Sequence, residues 1–581
     1  MKTPAAKTAL KLPRRSCPVA PRPRLNKLMA AVLALAAAAL SACGDGDKAA
    51  EQKGLLETEG TRDPYLVQYL VGGSDFLSIH GSTFDKDDNY YAGSVMGQSI
   101  HKIDVTTGES EVFVGPPEGM ADDLEFGPDG TLVWTSILAG KVHARRPNGE
   151  IYVVAENLPG VNAIAFSNDG RLFVTQVLWG DALWELDLTG KKEPRKVIED
   201  MGHLNGFDFD RDGYLYGPLL FKGKVARIDV DSGELTTLAE GFQIPVAVNL
   251  DSEDRLYVAD TALGRMVRVD IRTGEKTLVA TVDPGIDNLA INSRDEVFIT
   301  NMNDNAVYKI HPRTGQTREI VSSELSVPGG LDVITSDFGK ETLFLGDLFT
   351  YSTVDGATGE ITELKRGLRD HFEMPMSVNV QGNEVVTTSW FTNAVEIYDR
   401  ATGEIVATYH DLKHPVDAVR IDDDKVLVAE QGTGSLVRLA GDHGEKRKVI
   451  LKDLPGMAAM RPGSDDDTVY LTDVLGGRLL EVDIDDGDTT VIAEGLDKPE
   501  GFDVATDGHI VLAEVGKQRV VRIDPDNGEI SEIVRNLAIG LEAAENTPPG
   551  YIQTGVAVSE AGNIYVTSDL NTALYKITPQ Q

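Results

Sequence analysis

Cysteine is nearly absent. Of 581 residues only Cys17 and Cys43 carry a thiol, and both precede the first patterned segment. No disulfide framework and no cysteine zinc site can therefore exist in the patterned part. Positive charge is scarce too: 55 Lys and Arg stand against 92 Asp and Glu, a net −37. Such a surface repels phosphate backbones and argues against nucleic-acid binding, while it suits solubility and cation binding. No apolar run exceeds the 13 residues from Leu28 to Leu40, about 20 Å as a helix and too short to span a bilayer. A Gly-rich phosphate loop, a nucleophile-elbow serine and a His-Glu-x-x-His helix are also missing. Asp208-Phe209-Asp210-Arg211-Asp212-Gly213 opens like an EF-hand loop, but its twelfth position is Leu219, which offers no closing carboxylate. That stretch and Asp524-Pro525-Asp526-Asn527-Gly528 are expected to be ordinary turns.

What is present begins with a leader. Residues 1–42 hold eight basic residues and no acidic one, and the apolar run is followed by Ser41-Ala42-Cys43-Gly44. A basic segment, a short apolar core and small residues read as an export signal. Leu40-Ser41-Ala42-Cys43 resembles the bacterial lipobox. The resemblance implies cleavage before Cys43, acylation of that residue and a polar tether over 43–64. It also implies a place in the cell envelope, lipid-anchored in the outer membrane and facing the periplasm or the exterior. Acyl chains would be the only membrane contact.

The remainder repeats. Val161-Asn162-Ala163-Ile164-Ala165-Phe166-Ser167-Asn168-Asp169-Gly170 and Leu204-Asn205-Gly206-Phe207-Asp208-Phe209-Asp210-Arg211-Asp212-Gly213 share one cadence. Apolar and polar residues alternate, turn at Asp-Gly and alternate again, as antiparallel hairpins do. The residue ending the first strand falls at Phe84, Phe126, Phe166, Phe209, Leu250, Ile291, Val333, Val380, Ile421, Arg461, Val504 and Val558. Most steps are 40–43 residues, the length of a four-stranded propeller blade. The fold class is therefore all-β: tandem six-bladed propellers over 65–325 and 326–581, with one twelve-bladed ring as the alternative. An orphan strand, Tyr65 to Leu70, precedes the first unit, and the twelfth unit lacks a fourth strand. In a single ring the orphan strand would complete unit twelve. In two rings it would complete unit six, and Thr317 to Val321 would complete unit twelve.

Side chains from all blades of one ring can converge at the start of the inner strands. In units one to six that position holds His80, Asp122, Asn162, Asn205, Val246 and Asp287, with Asp123 and Asn288 following the two aspartates. Carboxylate and amide oxygens without thiols suit a hard cation, calcium rather than zinc. Units seven to twelve supply Gly329, Met376, Asp417, Met457, Glu500 and Thr554, too few oxygen donors for an equivalent site. Asp417 and Glu500 are expected to serve as hydrogen-bonding strand starters. Trp134, Trp179 and Trp390 are candidates either for pocket walls or for core packing.

Cadence and positions together resemble the senescence marker protein/gluconolactonase group and its relative paraoxonase, six-bladed calcium propellers. The residues carrying this are Ala121-Asp122-Asp123-Leu124-Glu125, Val161-Asn162, Leu204-Asn205-Gly206 and Ile286-Asp287-Asn288-Leu289, with His80-Gly81-Ser82 similar to a segment bearing a catalytic His. The resemblance implies calcium held by Asp122, Asn162, Asn205, Asp287 and Asn288. It implies hydrolysis of a lactone or small ester, with water deprotonated by His80, His203 or Asp287. Three departures stand: Asp122 replaces Glu, Ala163 replaces an acidic residue, and the His lies one blade before Asp122. The competing expectation is a non-catalytic NHL-type scaffold binding a protein, glycan or small ligand, because blade repetition does not fix chemistry.

Overall fold

The computed structural model describes residues 64–422, 425–441 and 443–580. The expected signal, Cys43 and most of the tether lie outside these residues. Among the described residues no helix is long and apolar enough to cross a membrane.

The repeat unit folds into a four-stranded antiparallel sheet twelve times. The fourth unit shows why. Its strands are Asp208–Phe209, Leu215–Leu219, Lys224–Asp229 and Glu234–Glu240. Between the first two, the Asp210 carboxylate accepts N–H groups of Asp212 (3.0 Å) and Tyr214 (2.9 Å). Gly213 takes φ 86° there, a left-handed conformation that a Cβ would oppose. The EF-hand look-alike is thus a hairpin turn. The second strand is buried on both faces between neighbouring blades, whereas the fourth is mostly exposed. Short apolar second strands and polar fourth strands are what a radial stack of sheets requires.

Blades 1–6 run from Ile79 to Val321 and blades 7–12 from Leu331 to Pro579. The inner strand of blade 1 (Ile79–Phe84) packs against that of blade 6 (Ile286–Ile291), and the inner strand of blade 7 (Leu331–Thr335) against that of blade 12 (Val556–Val558). Two six-bladed rings result. Their strand bookkeeping corrects the exchange expected for two rings. Thr317–Val321 stays in blade 6, and the orphan strand Tyr65–Val71 pairs with Leu574–Pro579 in blade 12. Ring 1 is consequently inserted into ring 2, between that ring's closing strand and its first blade. Keeping Thr317–Val321 beside its sequence neighbour needs only a short turn, so no long loop has to close.

The two closures differ in kind. Ring 2 is sealed by a backbone ladder, Val67 opposite Ile577 and Tyr69 opposite Tyr575. Ring 1 is sealed by side chains. Buried Asn305 of blade 6 accepts the Ile79 N–H (3.1 Å) and donates to Phe76 O (2.7 Å) on the blade 1 side. Tyr90, Phe298, Ile79 and Val307 fill the joint.

The rings meet at the loops that precede their inner strands and join their second and third strands. Leu77, Met96, Met120 and Met302 of ring 1 pack with Leu348, Phe349, Trp390 and Tyr551 of ring 2 in one buried cluster. Polar contacts flank it: Gln98 donates to Glu542 O (2.6 Å), and Lys141 pairs with Glu545 (2.5 Å). Met120 lies two residues before Asp122, so the mouth of the first channel borders this seam.

Candidate active site at the mouth of the first ring

Three site residues sit where their inner strands lose register. The pairing slips between Ile79 and Ser82, between Val161 and Ile164, and between Ile286 and Leu289. Such bulges re-aim side chains, here at His80, Asn162 and Asp287. A threonine on the second strand compensates for the interrupted ladder. Thr135, Thr175 and Thr300 accept the N–H groups of Asp123, Ala163 and Asn288 at 2.9–3.1 Å. Thr472 and Thr567 do the same in ring 2. The sequence carries this signal as an aromatic or apolar pair followed by Thr at the end of the second strand, as in Phe173-Val174-Thr175 and Phe298-Ile299-Thr300.

Three of the expected residues come together. His80 Nδ1 lies 3.1 Å from Asp287 Oδ2 and 3.7 Å from Asp122 Oδ1. Its Nε2 lies 2.6 Å from the hydroxyl of buried Ser78. Burial works against the imidazolium, but the charge of Asp287 and the hydrogen bond it accepts, with charge from Asp122, outweigh it and raise the His80 pKa. Burial also pushes the Asp122 carboxyl upward, opposed by His80 and by a hydrogen bond from the Asn162 amide. Asp287 is the most open of the three, its side chain 18% exposed against 13% for His80 and 7% for Asp122.

The other expected residues are placed differently. Asn162 joins the group through Asp122, while half-buried Asn205 lies one blade on, its N–H donating to Pro218 O (3.1 Å). The Asn288 amide is engaged deeper in the channel: it donates to Asp123 Oδ1 (2.8 Å) and accepts the Leu289 N–H (2.7 Å). His203 binds Gly180 O through Nδ1 (3.2 Å), and its ring lies edge-on to Phe221. Trp134 is core, its Nε1–H on Glu118 O, and Trp390 belongs to the seam between rings. Trp179 is half-exposed and faces the ring-2 side chain Phe391 edge-on at 6.4 Å.

Beneath the mouth lies a cavity of about 260 Å³ lined by Asp123, Glu125, Asp208, Asn249 and Asn288. Burial pushes Asp123 up to about 8, against the N–H groups of Ile164 and Leu124, with the charges of Asp122 and Asp287 adding to the rise. Burial brings Asp208 to about 6 and raises Glu125 well above the carboxylate range. No basic group contributes to any of these three shifts.

Among the described residues no three or more His, Cys, Asp or Glu side chains form a ready metal cage. The donors still fit a hard cation. Two carboxylates, Asp122 and Asp287, converge on one point with the Asn162 amide beside them and no thiol near, and the His80 imidazole lies within 3.7 Å of both.

The same position in ring 2 has been put to structural use. Asp417 is fully buried and accepts N–H groups from Ala418 (2.9 Å) and from Met460 of the next blade (2.7 Å). Asp332 and Asp503 clamp their next blades likewise through Val380 and Val558. Arg461 fills the channel between them. It donates to Leu331 O and to Asn379, and stands 3.7 Å from Asp417 and 3.9 Å from Asp503. An arginine at a position otherwise apolar was the visible signal of this plug.

Two further contacts had no expectation in the sequence. Ser78 fixes the His80 ring, and Phe349 of ring 2 lies edge-on to it at 6.3 Å between centroids.

Comparison with known proteins places these findings. No curated protein matches the sequence. Among solved structures, a virginiamycin B lyase from Staphylococcus aureus is similar at 16% identity, covering 48% of this chain and 95% of that one, with a TM-score of 0.36. A gluconolactonase from Xanthomonas campestris is similar at 13% identity, covering 41% and 87%, with a TM-score of 0.35. The extracellular domain of a one-component system from B. thetaiotaomicron is similar at 9% identity over 89% and 83%, with a TM-score of 0.33. The model of the SMP-30/Gluconolactonase/LRE-like region matches residues 129–329 in ring 1 and 382–537 in ring 2, together more than half of the sequence. The chain belongs to the SMP-30/gluconolactonase/LRE-like family.

Proposed function

We propose that the first ring hydrolyses a lactone or small ester with the help of a bound calcium ion. The observation carrying this reading is the convergence of Asp122 and Asp287 on His80 at the channel mouth. Asp122, Asp287, Asn162 and Asn205 would hold the ion, which when bound supplies polarisation of the carbonyl oxygen. Both nitrogens of His80 are engaged, and its Nε2 partner Ser78 is fully buried. Asp287, the most exposed member, is therefore the group that takes the proton of the attacking water. His80 at 3.1 Å holds Asp287 in place, and the proton that Asp287 takes from water passes to the alkoxide released as the carbonyl–oxygen bond breaks. Family membership supports hydrolysis of this class.

A non-catalytic reading draws on one observation: Phe349 and the seam between rings crowd the mouth, and its polar side chains are little exposed. A panel of lactones and aryl esters, assayed on the whole protein with and without EDTA, separates the two. Turnover lost with chelator and in Asp287→Asn is expected. Turnover indifferent to both overturns the mechanism, and silence across the panel favours the scaffold. We further propose that Cys43 carries the lipid that tethers both rings to the membrane. Incorporation of labelled palmitate should vanish in Cys43→Ser.

A further inference from the structure

Ring 2 holds a second cavity, separate from the mouth just described. It occupies about 580 Å³ above blades 10 and 11, within the usual range for small-molecule sites. Its walls include Leu475, Leu496, Val515 and Leu541, and Glu500 lies on its floor. The irregular loop over residues 536–555 covers it, tied to the rim by an ion pair between Lys498 and Glu542.

The floor is unusual. Glu500 is 3% exposed, and its Oε2 accepts the Thr554 N–H (2.8 Å). Thr554 Oγ1 beside it is fully buried without a well-formed hydrogen bond. A second buried acid, Asp569, accepts the N–H groups of Gly540 and Leu541 with its two oxygens. Burial and the charge of Asp569 push the Glu500 pKa well above the carboxylate range, against hydrogen bonds from Thr554 and a smaller pull from Lys498. Lys498 is already paired with Glu542, so Glu500 has no cation of its own. The equivalent burden in the channel below is met by Arg461, and among the described residues no lysine or arginine forms an ion pair with Glu500.

We propose that this cavity is a binding site for a small amphipathic amine, its ammonium on the Glu500 carboxylate and its apolar body against Leu475, Leu496 and Leu541. An ammonium supplies what the floor lacks, a buried positive partner with hydrogen-bond donors. Leu475, 65% exposed at the rim, is an apolar surface that a bound hydrocarbon would cover. The site is independent of the chemistry assigned to ring 1.

The test uses phenethylamine and its uncharged counterpart 2-phenylethanol, titrated calorimetrically into the whole protein. The amine is expected to bind at least tenfold tighter than the alcohol. Glu500→Gln, which keeps an acceptor for the Thr554 N–H, should weaken the amine at least tenfold and leave the alcohol unchanged. Leu475→Arg, at an exposed position that does not endanger folding, should weaken the amine about fivefold or more. Equal affinity for amine and alcohol, unchanged amine binding in both variants, or no binding of the amine at millimolar concentration would each overturn the proposal.

Discussion

The two channels are built from the same repeat but answer their buried carboxyl groups differently. In ring 2, Asp332, Asp417 and Asp503 clamp adjacent blades, and Arg461 sits among them. In ring 1, Asp123 and Asp208 make the same clamp, to Ile164 and Leu250, yet among the described residues no arginine or lysine pairs with them. One residue separates the cases. A guanidinium at the end of one inner strand makes a channel a sealed structural axis, and its absence leaves a cavity lined by buried carboxyl groups under a histidine. Inner-strand carboxylates are therefore scaffold by default in this molecule, and they become candidates for chemistry only where their charge is left unanswered.

The sharpest way to break the contrast is Arg461→Met. Stripping the cation from three buried carboxylates should cost about 3–5 kcal/mol, read as a lowered denaturation midpoint with faster hydrogen exchange confined to ring-2 peptides. Equal acceleration in both rings would erase the distinction. Next comes closure. Val67→Asp places a charge within a buried cluster of blades 11 and 12 and should cost about 3 kcal/mol, again in ring 2. Its counterpart Asn305→Ala removes the amide that ties blade 6 to blade 1 and should cost about 2 kcal/mol, with the exchange now localised to ring 1.

The smallest effect concerns pH. Glu125 is raised by burial and by Asp208, so between the unfolded carboxylate pKa, about 4.3, and its higher folded value the native state holds a proton that the unfolded chain has released. Stability present at low pH is lost as pH rises through that window. Glu125→Gln keeps an acceptor for the Phe166 N–H and should flatten the fall in melting temperature as pH rises above about 4.3. An unchanged slope would show that the acid titrates normally.

Much of the architecture was legible because it rests on local pattern. Alternation, Asp-Gly turns and the 40-residue step report strands and their count directly. The grouping of His80, Asp122 and Asp287 was legible for a related reason: equal positions in equal repeats arrive at equal places in a ring. Asn288 and His203 bond away from that trio, and in the first case a bulge turns the adjacent residue apart. Asn288, one residue past Asp287, bonds Asp123 inside the channel, and His203 follows a separate loop to Gly180. Phe349 carried no signal, since a phenylalanine in a hairpin turn looks the same whether it meets solvent or another ring.

By itself the sequence determined twelve sheets, their order, their turns and the oxygen-rich set in the first six, all consequences of period and residue type within about 40 positions. Tertiary structure alone decided which strand closes which ring, that ring 1 is threaded into ring 2, that Arg461 answers three aspartates, and that the rings meet face to face at a methionine-rich seam. Those outcomes depend on partners hundreds of residues away. A strand edge, an arginine or an apolar turn is compatible with many such partners until the chain's geometry selects one.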